Sequence, residues 1–125
     1  MTHNQLNAVA VVDDDIAVLD ALKFLLEIAG HTVVTYSSAA AFLEDRKVRP
    51  ACLILDQHMP HMTGLELAAQ LRGDGADIPI LLVTAQPSPA VIARAAELGI
   101  ERVLSKPPTE DDLLSFINAY EIRRD

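Results

Sequence analysis

Several features that mark particular classes of protein are missing from this sequence. The chain has 125 residues but a single cysteine, Cys52, so it cannot form an internal disulfide, and a buried thiol is expected. No apolar run reaches the roughly 20 residues that cross a bilayer, and the polar start at 1–7 lacks the apolar segment of a signal peptide. These absences favour one globular domain that does not enter a membrane, in a reducing, cytoplasmic setting.

Basic residues are also scarce. The chain has 10 Lys and Arg residues against 18 Asp and Glu residues, which gives a formal net charge of −8 at pH 7. Nucleic-acid binding requires a basic surface that neutralises phosphates. The charge balance therefore predicts that this domain does not bind nucleic acid directly, and part of the acidic excess is expected to lie in a cation site.

The common nucleotide-binding and hydrolase motifs are absent as well. There is no G-x-x-x-x-G-K-[ST] loop, no G-x-G-x-x-G turn and no G-x-S-x-G elbow. His58 and His61 are three residues apart in a predicted loop and have no cysteine at zinc-site spacing, so no zinc site is predicted. Asp13–Asp15 contains the Asp-x-Asp of haloacid-dehalogenase-type phosphatases. However, Ala17 replaces their usual Thr or Val, and the chain is too short for their cap domain, so this remains a minor alternative.

Strand and helix patterns alternate five times along the chain. Apolar or β-branched runs that are typical of buried parallel strands cover Ala8–Val12, Thr32–Tyr36, Ala51–Leu55, Ile78–Val83 and Val103–Ser105. Helical spacing and capping residues predict helices over Ile16–Ala29, Ala39–Arg46, the segment from Thr63 to Leu71, Pro89–Leu98 and Glu110–Ile122. This (βα)5 alternation predicts an α/β fold, a doubly wound three-layer sandwich. The expected sheet is parallel and five-stranded in the flavodoxin-like order 2-1-3-4-5.

Polar side chains follow four of the predicted strands at their C-terminal ends. They are Asp13–Asp15 after the first strand, Asp56 after the third, Thr84 after the fourth and Lys106 after the fifth. In an open parallel sheet these ends form the ligand crevice, and the reversal between the first and third strands brings the acidic residues together. Crowded carboxylates repel one another, and Mg²⁺ relieves that repulsion while it also binds water and phosphate oxygens. The pattern therefore predicts a pocket for Mg²⁺ and a phosphoryl group.

Each pocket residue has a chemical ability that suits such a site. Next to a cation, Asp56 is a nucleophile that can take a phosphoryl group. The Thr84 hydroxyl can donate to a phosphoryl oxygen, and the carboxylates would balance the Lys106 ammonium. Simpler interpretations stay open: an ordinary strand residue for Thr84, a loop acid for Asp56, and a helix cap for Asp15. Lys106-Pro107 is also a candidate cis peptide bond.

Four motifs together resemble the receiver (CheY-like) domain of two-component response regulators. In chain order they are Val12-Asp13-Asp14, Leu55-Asp56-x-x-Met59-Pro60-x-x-x-Gly64, Val83-Thr84-Ala85 and Lys106-Pro107. A further segment is similar to the nitrogen-fixation and LuxR-type regulators: Met62-Thr63-Gly64-Leu65-Glu66-Leu67. The resemblance covers nearly the whole chain. It implies a single receiver domain over residues 1–125, with a core of about 7–122 and no output domain in this chain.

The resemblance also implies a role for each pocket residue. Asp56 would be the phosphoacceptor, while Thr84 and Lys106 would bind the phosphoryl oxygens. The ligands of Mg²⁺ would be Asp13, Asp14, Asp56 and the backbone carbonyl of His58. The phosphoryl donor would be a phosphohistidine on a sensor histidine kinase or a histidine phosphotransfer protein. Phosphorylation would change the affinity for an unidentified output protein or domain, so the chain would be a switch rather than a turnover enzyme, and a homodimer stays open.

Two positions depart from the family pattern. The family usually has Tyr or Phe three residues before the lysine, where this chain has Val103, and Pro108 replaces a frequent Phe. The aromatic part of the usual switch is therefore missing, and we expect output through a movement of the loop from Thr84 to Ser88. Two alternative functions remain: a pseudo-receiver that binds partners without phosphorylation, and a small Mg²⁺-dependent phosphatase.

Overall fold

The computed structural model describes residues 8–45 and 49–120, in which five strands alternate with five helices. The strands are β1 (Val9–Val12), β2 (Val33–Tyr36), β3 (Cys52–Asp56), β4 (Ile80–Thr84) and β5 (Arg102–Ser105). The helices are α1 (Ile16–Ile28), α2 (Ala39–Glu44), α3 (Gly64–Gly73), α4 (Pro89–Glu97) and α5 (Glu110–Tyr120). The predicted helix ends at Arg46 and Ile122 lie outside the described residues.

All five strands pair in parallel in the order β2-β1-β3-β4-β5, which confirms the predicted topology. Strands β1, β3 and β4 are buried along their whole length. Their sequences are continuous apolar runs because helices cover both faces of the sheet. The reversal of strand order between β1 and β3 opens the crevice at the carboxyl ends of these strands.

Strands β3 and β4 extend one residue further than the apolar runs indicate. Asp56 pairs with Val83, and Thr84 pairs with Ser105, so both polar residues belong to the sheet. A polar side chain does not end a strand when its backbone groups continue the ladder. The two side chains are therefore held by strand backbone and not by flexible loops.

The core has one layer on each face of the sheet. Residues such as Ala10 and Val12 pack with α2, α3 and α4, whereas Val9 and Val11 pack with α1 and α5. This division follows from the alternation of side chains along each strand. Cys52 lies in the second layer and is fully buried, as expected. Among residues 8–45 and 49–120, no helix combines the length and hydropathy that a membrane crossing requires.

Candidate functional site

Three acidic side chains meet where β1 and β3 end. The carboxylate oxygens that Asp13, Asp14 and Asp56 offer all lie within 4.8 Å of one another. Asp13 and Asp56 are buried, at 5% and 3% exposure, while Asp14 is exposed. Asp15 does not join them, because its side chain caps α1 and accepts from the backbone N–H groups of Ala17 and Val18. Two of the three consecutive acids thus belong to the pocket and one belongs to the helix.

The Asp56 carboxylate is the least satisfied polar group in this pocket. Its Oδ1 lies 2.6 Å from Lys106 Nζ in an ion pair, and the Lys106 side chain is 34% exposed. Neither Asp56 oxygen accepts a hydrogen bond of good geometry from the described part of the chain. Buried polar groups normally have such partners, and their absence often marks a functional site.

Burial and neighbouring charges shift the pKa values of two pocket groups. Burial raises the pKa of Asp13, and the charge of Asp56 adds to this, although a hydrogen bond from the Asp15 N–H opposes it. Burial alone would lower the pKa of Lys106. The ion pair with Asp56 and the charges of Asp13 and Asp14 outweigh that effect, so the pKa of Lys106 is raised. Three carboxylates therefore surround one ammonium, which leaves the pocket negative.

These residues fit a hard divalent cation. Carboxylate oxygens are the ligands that Mg²⁺ prefers, and a few of them with bound water satisfy its octahedral geometry. The clustered oxygens and the unbonded Asp56 carboxylate supply the negative charge that such an ion would neutralise. The pocket can therefore hold a cation and place a carboxylate nucleophile beside it.

The backbone that follows Asp56 is tightly packed against the first turn of α3. The Gly64 N–H donates to the Gln57 carbonyl at 3.1 Å, and the Leu65 N–H donates to Gln57 Oε1 at 2.8 Å. A Cβ on Gly64 would lie 2.6 Å from the Asp56 carbonyl oxygen and 2.8 Å from Leu82 Cδ1. Only glycine allows this approach, so Gly64 helps to fix the position of Asp56.

Thr84 lies at the end of β4 and is fully buried. Its Oγ1 accepts a hydrogen bond from the Gln86 N–H at 3.2 Å and lies 3.0 Å from His58 Nε2. The resemblance gave the backbone carbonyl of His58 a role as a Mg²⁺ ligand, and the sequence analysis did not predict a contact between the His58 side chain and Thr84. The position of His58 two residues after Asp56 was the one available signal for this side-chain contact.

The β5 side of the pocket matches two further expectations. The Lys106-Pro107 peptide bond is cis. Val103, where the family usually has an aromatic residue, is half-buried and packs against the core on the α2, α3 and α4 face. A valine side chain has no ring that could exchange between an inward and an outward position, so residue 103 cannot switch by rotation of an aromatic ring.

Comparisons with known proteins agree with this geometry. The sequence model of the response regulator receiver domain matches residues 9–118. Response regulator protein TmoT of Ectopseudomonas mendocina is 38% identical over 116 residues, which cover 92% of this chain and 53% of TmoT. Transcriptional regulatory protein FixJ of Azorhizobium caulinodans is 35% identical over 116 residues, which cover 89% of this chain and 53% of FixJ.

The solved structure of the chemotaxis protein CheY4 of Vibrio cholerae has the same fold. It superposes with a TM-score of 0.82 at 29% identity, covering 92% of this chain and 98% of CheY4. The chain spans about half the length of the curated relatives that it matches. The match to the family, the sheet order and the acidic pocket together show that the chain belongs to the receiver domains of two-component response regulators.

Proposed function

We propose that this receiver domain takes a phosphoryl group onto Asp56. The observation that carries the proposal is the buried Asp56 carboxylate, which accepts no hydrogen bond of good geometry from the described residues and lies beside the Lys106 ammonium and two further carboxylates. This carboxylate has a lone pair that can attack phosphorus, and a nearby positive charge would stabilise it. The residues that would hold Mg²⁺ are Asp13, Asp14, Asp56 and the backbone carbonyl of His58.

The proposed reaction uses the side chains that meet in this pocket. A carboxylate oxygen of Asp56 attacks the phosphorus of a phosphohistidine, the new P–O bond forms, and the P–N bond breaks with its electron pair left on the imidazole nitrogen. When bound, Mg²⁺ would supply positive charge that offsets the negative charge of the transferred group. Lys106 exchanges its Asp56 partner for a phosphoryl oxygen, and the Thr84 hydroxyl donates to another. Residues of the domain thus catalyse its own modification, as a switch and not as an enzyme that turns over external substrates.

The proposal includes the partners that such a switch needs. The donor is a phosphohistidine on a sensor histidine kinase or a histidine phosphotransfer protein. Residues 1–125 form one receiver domain with a core of about 7–122, and the output belongs to a partner protein or to another domain. Relatives of about twice this length, which include a transcriptional regulatory protein, support a link to a separate output unit.

Intact-protein mass spectrometry tests the proposal. The protein is incubated with acetyl phosphate and Mg²⁺, and one added phosphoryl group is expected. Asp56→Asn and removal of Mg²⁺ with EDTA should each abolish the adduct. Asp15→Asn is the matched control: it removes one carboxylate from the same acidic run, but Asp15 caps α1, so the adduct should persist.

Two results would contradict the proposal. If the wild-type protein forms no adduct and also binds no beryllofluoride with Mg²⁺, the pseudo-receiver alternative is supported. If it releases phosphate from an external phosphoester over many turnovers, the phosphatase alternative is supported.

A further inference from the structure

The Thr84 hydroxyl is fully engaged before any phosphoryl group arrives. A threonine hydroxyl has one proton to donate and two lone pairs that accept. The Gln86 N–H at 3.2 Å uses one lone pair, and His58 Nε2 lies 3.0 Å from the same oxygen. Because Thr84 is 0% exposed, its proton needs an acceptor within the protein. Among the contacts of Thr84 in the described residues, His58 Nε2 is the group that can accept it, provided that the ring proton is on Nδ1, and we assign this tautomer on that ground.

This arrangement puts two acceptors in competition for one proton. Phosphoryl oxygens only accept hydrogen bonds, so Thr84 must donate its proton in order to bind one. The proton that Thr84 gives to His58 Nε2 is then unavailable to the phosphoryl group. Binding of the phosphoryl oxygen therefore requires that the hydroxyl turns away from the imidazole ring.

The two residues differ in their freedom to move. Thr84 is part of β4, pairs with Ser105 and accepts the Lys106 N–H through its carbonyl at 3.0 Å. His58 is an exposed side chain in the segment between β3 and α3. When the hydroxyl turns, the ring of His58 can leave without disturbing the sheet.

We propose that His58 is a positioning residue that holds the Thr84 hydroxyl in the unphosphorylated protein and competes with the phosphoryl group for its proton. This inference rests on the proposed function at Asp56. It also gives the switch a route that Val103 cannot supply, because the released side chain lies on the segment before α3. Met59 in that segment is 7% exposed and packs into the core on the α2, α3 and α4 face, so a shift of the segment reaches that face.

A double-mutant cycle with beryllofluoride as the phosphoryl mimic tests the inference. The apparent affinity for beryllofluoride is measured in the presence of Mg²⁺ for the wild type, His58→Ala, Thr84→Ala and the double variant. Loss of one competing hydrogen bond should tighten binding of the mimic by about three- to ten-fold in His58→Ala. The same substitution should have no effect when Thr84 is already alanine, because His58 then has no hydroxyl to hold.

A spectroscopic signature and a matched control complete the experiment. The ¹⁵N chemical shift of His58 Nε2 should change when beryllofluoride binds, and the mimic-free Thr84→Ala variant should show a change in the same direction. His61→Asn alters the other histidine of this segment, which is exposed and has φ 71°, a conformation that asparagine tolerates. This variant should bind the mimic with wild-type affinity.

The outcomes separate the inference from the function on which it rests. Unchanged affinity in His58→Ala, or an equal gain in the presence and absence of the Thr84 hydroxyl, would overturn the role of His58 while leaving phosphorylation of Asp56 intact. If the wild type binds no beryllofluoride with Mg²⁺, the proposed function and the competition at Thr84 are both wrong.

Discussion

The two ends of the sheet differ in how far their charged side chains are hydrogen-bonded. At the carboxyl end, the buried Asp56 carboxylate accepts no hydrogen bond of good geometry within residues 8–45 and 49–120 and lies among other carboxylates. Near the amino ends of β4 and β5, the guanidinium of Arg72 in the last turn of α3 donates to four backbone carbonyls. These acceptors are Leu98 at 2.7 Å, Ile78 at 2.9 Å, Ala76 at 3.1 Å and Gly99 at 3.2 Å.

In this small domain, the residues of one end contribute to stability, and the residues of the other end carry the groups suited to chemistry. The Arg72 donors satisfy carbonyls of the two connections that lead into β4 and β5, so this end is stabilised by its own residues. The carboxyl end leaves the Asp56 oxygens without a hydrogen bond of good geometry from the described residues, at a cost in folding free energy that the proposed cation and phosphoryl group would offset. Helix α3 joins the two ends, with Gly64 beside Asp56 at its start and Gly73 at its end.

The largest effect is expected at the carboxyl end for Gly64→Ala. The new Cβ would lie 2.6 Å from the Asp56 carbonyl oxygen, so the strand or the helix must shift. We expect a loss of about 3 kcal/mol in the free energy of unfolding, the upper part of the range for overpacked sites, measured by urea denaturation. Adduct formation at Asp56 should also slow in the folded protein. A change below about 0.5 kcal/mol would show that this end is not tightly packed.

The second largest effect on stability is expected at the amino end of the sheet. Arg72→Ala removes four hydrogen bonds and leaves carbonyls without a partner, so we expect destabilisation of about 2 kcal/mol by urea denaturation. Arg72→Lys should lose less, because one ammonium still reaches some of the carbonyls but lacks the planar fork. Phosphorylation by acetyl phosphate should persist in both variants under native conditions. If an Arg72 variant kept full stability but lost the adduct, the two ends of the sheet would not be independent of each other.

A smaller effect of opposite sign is expected for Asp13→Asn. The raised pKa of Asp13 means that its ionised form disfavours folding, so in the absence of Mg²⁺ the variant should be more stable at neutral pH. Burial of the charge is the main cause of the raised pKa and repulsion by Asp56 adds to it, so the gain should be on the order of 1 kcal/mol. Wild-type stability should fall as the pH rises from 3.8 through the raised pKa, and the variant should lack this fall.

Saturating Mg²⁺ should reverse the order of these two proteins, because the variant has lost a proposed ligand. Thermal unfolding at neutral pH with EDTA and then with excess Mg²⁺ measures both effects. If Asp13→Asn is less stable than the wild type in EDTA, the acidic cluster is not a source of repulsion.

The smallest effect is expected for Gly73→Ala, the counterpart of Gly64→Ala at the other end of the same helix. A Cβ on Gly73 would have no atom of the described part of the chain within 4 Å, and the residue is exposed. Alanine should stabilise the protein by about 0.5 kcal/mol because it restricts the unfolded chain and favours the helix. Urea denaturation of the two glycine variants side by side measures the difference. If both variants were equally destabilised, α3 would tolerate no substitution of its glycines, and the effect at Gly64 would not come from the local contact with Asp56.

The fold and the meeting of the pocket residues were predictable because both follow from short-range patterns and topology. Apolar runs such as Cys52–Leu55 identify buried strands, and the parallel order then places strand ends side by side. Boundaries were less accurate at Asp56 and Thr84, where polar side chains hid the continuation of the ladder.

The side-chain contacts that distinguish the two ends could not be predicted. His58 and Thr84 are 26 residues apart in sequence, as are Arg72 and Leu98. Each contact depends on a side-chain rotamer and on how separate elements pack. No periodic pattern or motif spacing in the sequence indicates either contact. Helix α3 shows the same limit: Gly64 is part of a motif that resembles receiver domains, but helical spacing alone does not indicate that Gly64 tolerates no Cβ while Gly73 does.

Because a parallel register aligns Asp56 with Val83, the pocket depends on correct pairing of the strands. Asp13, Asp56, Thr84 and Lys106 come from four strand ends, so the pocket is complete only when β1, β3, β4 and β5 have all joined correctly. A slip of one residue between β3 and β4 would move Asp56 about 3.3 Å along its neighbour and turn its side chain to the opposite face. If Asp56 is the phosphoacceptor, as proposed, competence to accept a phosphoryl group would report that these four strands have assembled in register, and copies with a misaligned strand would not be phosphorylated.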